Sequence, residues 1–296
     1  MEIYFYSEEN GISKIDGGKD GNYLGAAICL GDFDGVHKGH RSLFCEAKKH
    51  GRWGALLFDR NIKGSDNLTT HEERLNLIKD CGADFVIVTE FSDRFSKRTP
   101  KEFVDFLENT LKVEQIVCGY DYRFGFKAEG TAELLKKLSR NAKVSVVEAV
   151  TKDDTLVKST LIRELVKKGD VKSANELLTY PFIITGTVEK GFGNGRKLGF
   201  PTANVSYAKN KILPADGVYY GKVNGMDAVI NVGKNPTFNA EKRTVEAHIP
   251  DFSGDLYGKK ITAEFIEKIR DDIKFDSIDD LILQINKDVE YVKTQR

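Results

Sequence analysis

The chain has 296 residues, with 45 basic side chains against 45 acidic ones. That length exceeds a typical single domain and suits two, each with room for its own core. A net charge of zero leaves no electrostatic footprint for a nucleic-acid backbone or an anionic membrane, and no apolar run approaches the roughly 18 residues of a membrane span.

The opening stretch MEIYFYSEEN lacks the basic-then-apolar layout of a signal peptide, so a cytoplasmic location is expected. From there the chain alternates. AAICL, GALLF, DFVIV and QIVCG read as buried strands, and RSLFCEAKKH, HEERLNLIKDC, PKEFVDFLENTL and TAELLKKLSR as the helices between and after them. Such alternation predicts a parallel sheet with crossover helices. STLIRELVKKG follows as a helix with Ser159 and Thr160 as capping residues and a stop at Gly169, and DVKSANELL as another. The four cysteines, Cys29, Cys45, Cys81 and Cys118, form no C-x-x-C pair and read as buried reduced thiols rather than a metal or disulfide site.

Prolines expose a boundary. Pro100 stands alone before residue 181, and the other five of the six come from Pro181 onward. Short strands joined by turns fit that density. GVYYGKV and MDAVINVG flank Asn224-Gly225, a type I′ hairpin signal, and RTVEAHIP and KKITAEFIEKI add further alternating segments. A final helix from Ser277 carries Ile278, Leu281, Ile282, Ile285, Val289 and Val292 as one apolar stripe. The expected fold is therefore an α/β parallel-sheet domain over residues 1–180, followed by a small β-barrel with a C-terminal helix over 181–296.

Two stretches carry candidate chemistry. In GDFDGVHKGH, residues 31–40, His37 and His40 straddle a strand-to-helix turn, where Gly35 and Gly39 allow close backbone approach and the helix offers free amide donors. Two imidazoles there can donate to phosphate oxygens as charge develops; the plainer alternative is that they cap the helix or pack. Zinc is disfavoured, because no third ligand of matching kind lies nearby. In GFGNGRKLGFPTANV, residues 191–205, Gly191, Gly193 and Gly195 make a flexible loop whose amides can wrap phosphates, or simply a turn. Thr202 and Asn204, two apart on an extended segment, point the same way with hard oxygens suited to magnesium. Glu246 shares a strand face with Thr244 and His248, while Val245, Ala247 and Ile249 face the other way. A carboxylate held by a packed strand can accept a hydroxyl proton, although outward glutamates are more often merely solvated.

With those residues in view, GDFDGVHKGH resembles the signature of the nucleotidyltransferase superfamily, in the form found in bacterial bifunctional riboflavin kinase/FAD synthetases. GYDYRFG (119–125) and STLIR (159–163) resemble that family's other adenylyltransferase motifs, in order. LGFPTAN resembles its riboflavin kinase motif, followed by LPADGVY, NPTF, VEAHI and FSGDLYGK. The resemblance implies a nucleotide site at Gly31, Phe33, Asp34, Gly35, Gly39 and the two histidines, with Asp121, Ser159, Thr160 and Arg163 helping to hold the triphosphate. Arg163, one turn into its helix, can fork two phosphate oxygens or remain an exposed helix arginine. The same resemblance makes Glu246 the catalytic base and Thr202 and Asn204 the residues that position Mg-ATP.

Riboflavin, FMN, FAD and ATP are then the expected ligands, with Mg2+ as the cofactor. Two departures stand out. After GALLF the family commonly continues with a carboxylate and Pro-His-Pro, whereas this chain has Asp59-Arg60-Asn61-Ile62-Lys63-Gly64. Where the family commonly has Ser-Ser-Thr, this chain has Lys158-Ser159-Thr160. The alternatives are a riboflavin kinase with an inactive or narrowed adenylyltransferase half, and a non-enzymatic flavin-binding regulator.

Overall fold

The structure, a computed structural model, describes residues 1–15, 23–59, 66–191, 194–234 and 243–295. The chain divides into two compact units: residues 1–63 with 71–158, and residues 64–70 with 159–296.

The first unit is built on β1 (Glu2–Ser7), β2 (Gly11–Lys14), β3 (Ala27–Leu30), α1 (Lys38–Lys48), β4 (Trp53–Asp59), α2 (His71–Asp80) and β5 (Phe85–Glu90). It continues with α3 (Asp93–Ser96), α4 (Pro100–Asp105), β6 (Gln115–Gly119), β7 (Arg123–Phe124), β8 (Gly130–Thr131), α5 (Ala132–Leu138), β9 (Lys143–Val147), β10 (Thr151–Lys152) and β11 (Thr155–Leu156). Seven strands form one sheet in the order β2-β1-β5-β4-β3-β6-β9, parallel except for β2 at the edge. All four residues of β3 are buried, as expected for a strand covered on both faces. From β3 the chain builds outward to β4 on one side and later to β6 on the other. The topological switch point therefore lies at the carboxyl end of β3, where open α/β sheets take their ligands. Residues 31–37 occupy that end.

The expected helix over PKEFVDFLENTL is α-helical only to Asp105 and then widens into a π turn, Phe106–Thr110. Its start is as capping rules dictate: Thr99 and Glu102 form a reciprocal capping box with Pro100 at the first helical position. The wider turn keeps Phe106 and Leu107 in the core while the Glu108 carboxylate accepts the backbone amides of Arg140, Asn141 and Ala142.

The second unit holds α6 (Ser159–Lys168), α7 (Val171–Leu178), β12 (Phe182–Glu189), α8 (Asn194–Lys197), β13 (Ala203–Val205), β14 (Gly217–Val223), β15 (Met226–Lys234), β16 (Arg243–His248), β17 (Lys260–Arg270) and α9 (Ile278–Thr294). Six strands close into an antiparallel barrel in the order β12-β13-β16-β15-β14-β17. Closure leaves no unpaired edge. The β14–β15 hairpin turns on Asn224 and Gly225 at φ +49° and +82°, the type I′ pair expected from the sequence. Ser277 caps α9, whose Val289 and Val292 pack on Val218, Tyr220 and Val229.

Helices α6 and α7 pack with the barrel unit. Asn175 of α7 explains part of this: its amide donates to the Phe265 carbonyl at 2.8 Å and its oxygen accepts from the Phe182 amide at 2.7 Å. Residues 66–70 join the same unit, since Asn67 bonds backbone-to-backbone with Asn210 and Ile212 and Lys211 Nζ donates to the Leu68 carbonyl at 2.5 Å.

Three expectations need correction. Ser159 is the first helical residue of α6 rather than a residue preceding it. The glycine-rich stretch after β12 is not all loop: Asn194–Lys197 makes a helical turn. Cys45 is exposed on the outer face of α1, and Cys81 is only partly covered; Cys29 and Cys118 alone are buried, and all four are free.

Candidate functional sites

The turn after β3 is wound tightly. Phe33, Gly35 and Val36 have φ of +53°, +85° and +39°, a region that costs a residue with a side chain about 1–3 kcal/mol. Packing and charge hold it there. The Phe33 ring is fully buried and meets the rings of His40 and Phe44 at 5.3 and 5.1 Å. Arg74 reaches in from α2, donating to the Asp32 carbonyl at 2.8 Å and to the buried Asp34 carboxylate at 3.2 Å. Arg74 was not legible as a site residue in the sequence, because its role depends on α2 folding back over the turn.

His37 caps α1: its Nδ1 accepts the His40 amide at 3.4 Å. Capping and phosphate donation are compatible, because an accepting Nδ1 leaves the ring proton on Nε2. The two imidazoles stack at 3.7 Å. Burial, then the charges of His37 and Arg74, hold the His40 pKa well below the usual histidine value, so His40 stays neutral. Its Nδ1 is shut off from solvent and has no hydrogen-bond partner among the described residues. Gly39 is needed for closeness, since a β-carbon there would lie 3.1 Å from the His37 ring.

Asp121 follows β6 and is exposed; Lys158 Nζ lies 3.6 Å from its carboxylate. Ser159, Thr160 and Arg163 lie in the first two turns of α6, in the second unit. Asp59 ends β4, and the rest of the unusual DRNIKG stretch lies outside the described residues except for its first position.

In the barrel, the alternation expected for β16 is present: Val245 and Ala247 are buried and Thr244, Glu246 and His248 half-buried on the opposite face. Cross-strand pairing sets Glu246 opposite Asn204 on β13 and opposite Asn231 on β15, and directly opposed residues share a sheet face. Thr202 Oγ1 donates to the Glu246 carboxylate at 3.4 Å. Burial pushes the Glu246 carboxyl above its usual pKa, partly offset by hydrogen bonds from Thr202 and Thr244. Asn231 gave no sequence signal of its own; only strand register reveals it.

Next to these residues a cavity of about 470 Å³ is walled by apolar Val188, Ala203, Ile249, Phe252 and Leu256 and by polar Arg196, Thr202 and Asn204. Gly191 and Gly195 earn their places by contact: a β-carbon would come within 2.2 Å of the Asn204 amide at one and 2.4 Å of the Phe200 carbonyl at the other. Gly193 and the NPTF stretch lie outside the described residues. His248, read from the sequence as a mere neighbour, has its Nδ1 2.9 Å from the Pro201 carbonyl and its ring edge-on to Phe200.

Two unlike folds lie on one chain, each with its own polar centre. The FAD synthetase family pattern matches residues 21–161 and the riboflavin kinase pattern residues 178–295. A bifunctional riboflavin kinase/FMN adenylyltransferase of Bacillus subtilis (strain 168) is 34% identical over 284 residues, 89% of this chain and 90% of its own. The protein of the same description from Escherichia coli (strain K12) is 34% identical over equal shares. A solved structure from Streptococcus pneumoniae, described as a macrolide-efflux protein, matches with a TM-score of 0.84 at 33% identity, over 92% of this chain and 95% of its own. The chain belongs to the bifunctional riboflavin kinase/FMN adenylyltransferase family, with the adenylyltransferase N-terminal and the kinase C-terminal. Among its described residues no helix is long and apolar enough to cross a membrane.

Proposed function

We propose that Glu246 is the general base of riboflavin phosphorylation. The ribityl 5′-hydroxyl gives its proton to the Glu246 carboxylate as its oxygen bonds to the γ-phosphorus of ATP; the bond from that phosphorus to the ADP oxygen breaks, leaving FMN and ADP. The observation that carries this reading is the carboxylate's setting, partly buried and bounded by Thr202, Asn204 and Asn231. Burial raises its basicity without removing it from reach.

A magnesium ion fits the same residues. Thr202 and Asn204 offer neutral oxygens, and no cluster of three or more His, Cys, Asp or Glu that could hold a metal exists among the described residues. That donor set suits an ion that keeps phosphate and water as its remaining ligands. When bound, it would screen the charge on the phosphates; Thr202 and Asn204 would hold it and Gly191 would let the backbone close around the nucleotide.

In the adenylyltransferase half, residues 1–180, His37 and His40 donate to ATP phosphates while an FMN phosphate oxygen attacks the α-phosphorus and pyrophosphate leaves. Ser159, Thr160 and Arg163 assist with the leaving phosphates. Neither reaction needs a covalent enzyme intermediate; positioning and charge stabilisation suffice. The kinase half comprises residues 181–296, and the protein acts in the cytoplasm without nucleic-acid partners.

The test is to incubate the protein with riboflavin, ATP and magnesium and to separate the flavins. FMN and FAD together support the reading. FMN alone means a kinase whose first half is inactive or narrowed, and unchanged riboflavin means a binding protein.

A further inference from the structure

We propose that Lys158 is a phosphate-binding residue of the adenylyltransferase site, and that Asp121 acts by holding this lysine in place rather than by touching the nucleotide. The inference rests on the reading of residues 31–40 as the ATP site, and it assigns a residue that reading does not contain.

Three observations lead to it. First, Lys158 is next to the turn: the carbonyl of the preceding Val157 lies 3.7 Å from where a β-carbon of Gly39 would sit, at the start of α1. Val157 is buried and its amide bonds to the Val150 carbonyl at 2.9 Å, so the backbone that delivers the lysine is fixed. Second, the lysine's visible partner is Asp121, at 3.6 Å, with both side chains about half exposed. An ion pair that open to water is weak, and a triphosphate offers far more negative charge to the same ammonium. Third, Asp121 lies at the carboxyl end of the sheet, its Oδ1 3.3 Å from where a β-carbon of Gly119 would lie at the end of β6.

Chemistry sets the direction. A carboxylate repels a phosphate, so Asp121 can serve a triphosphate only through a cation. Lys158 is such a cation, on the residue after Val157, whose carbonyl faces Gly39 of α1; at that end of α1 the buried His40 Nδ1 has no partner among the described residues. The ammonium, kept near the site by Asp121, adds a point charge to the imidazole and amide donors, suited to the departing pyrophosphate.

The experiment measures FAD formation from supplied FMN in the full-length protein, with FMN formation from riboflavin in the same preparations as the control for folding. Lys158→Met should raise the KM for ATP roughly tenfold, the value of one charge-assisted hydrogen bond. It should weaken inhibition by added inorganic pyrophosphate equally, and leave kinase activity and the thermal midpoint unchanged. Lys158→Arg should restore most of the loss. The Lys158→Met/Asp121→Asn double variant should bind ATP better than Lys158→Met alone, because it removes a carboxylate left facing phosphates. An unchanged KM in Lys158→Met, or a double variant worse than the single, overturns the inference. Should His37→Ala/His40→Ala make FAD at the parental rate, the underlying site reading fails instead.

Discussion

His37 and His40 lie face to face, ring centroids 3.7 Å apart and planes 17° from parallel. Two imidazolium ions cannot share that geometry beside Arg74. With the His40 pKa depressed by burial and by those neighbours, the unfolded chain takes up a proton near pH 6.5 that the folded one refuses. The His40 setting therefore carries no penalty above about pH 6.5, and stability is lost as pH falls from there toward the folded value, by at most about 1.4 kcal/mol per pH unit. Urea melts between pH 5 and 7.5 should show that slope, and His40→Gln should flatten it. A parental slope that persists in the variant would assign it to other groups.

Glu246→Gln keeps the shape of the barrel centre and removes the proton acceptor. FMN formation should fall by about 10²–10⁴-fold, with FAD formation from supplied FMN unaffected. Because burial raises the Glu246 carboxyl, the acid limb of the kinase pH–rate profile should lie above the ordinary glutamate value. Kinase activity within threefold of the parent would remove Glu246 from the mechanism.

Asn204→Ala takes one oxygen from the proposed magnesium site and leaves the strand intact. The KM for Mg-ATP in the kinase reaction should rise, with adenylyl transfer unchanged, because the two reactions draw on separate nucleotides. Equal loss of both activities would point instead to a fold defect.

Arg74→Met removes the guanidinium paired with the buried Asp34 carboxylate, and breaking a buried ion pair from one side costs about 3–5 kcal/mol. The first unit should melt earlier and FAD formation should collapse, while FMN formation persists. Arg74→Lys should recover stability only in part, since an ammonium cannot span both Asp32 and Asp34 as the guanidinium does. If Arg74→Met melts as the parent does, the turn is held by Phe33 packing alone.

His248→Phe keeps the ring edge against Phe200 and deletes the contact to the Pro201 carbonyl. A single hydrogen bond of this kind is worth about 0.5–1.5 kcal/mol. Because Pro201 immediately precedes Thr202, the loss should register mainly as a raised KM for Mg-ATP. His248→Asn, which can still donate from a similar position, should restore it. Identical kinetics in both variants would make the histidine a bystander.

The parts of this fold legible in the sequence were those whose signal is local. AAICL, GALLF, DFVIV and QIVCG are continuous apolar runs, and each became a buried central strand. Strands β1, β2 and β9 were missed: the edge strands β2 and β9 have only half-buried and exposed residues, and β1, paired between β2 and β5, mixes buried aromatics with half-covered positions. Edge positions impose weaker patterns because one side of the strand meets solvent. At the sites, glycine turns and a strand carboxylate stand out by residue type. Arg74 and Asn231 do not, and Lys158 stood out only as a departure from the family pattern, since an ordinary helix arginine, strand asparagine or loop lysine acquires its meaning only from what the fold brings against it.

The left-handed residues at Phe33 and Val36 have one more consequence. A turn that adopted this shape only around nucleotide would draw the cost of ordering from the binding step and weaken its hold on ATP. Here Arg74 and the Phe33 ring hold the shape from within the fold. Folding meets that conformational cost, so an ATP molecule bound at the proposed site would not have to supply it.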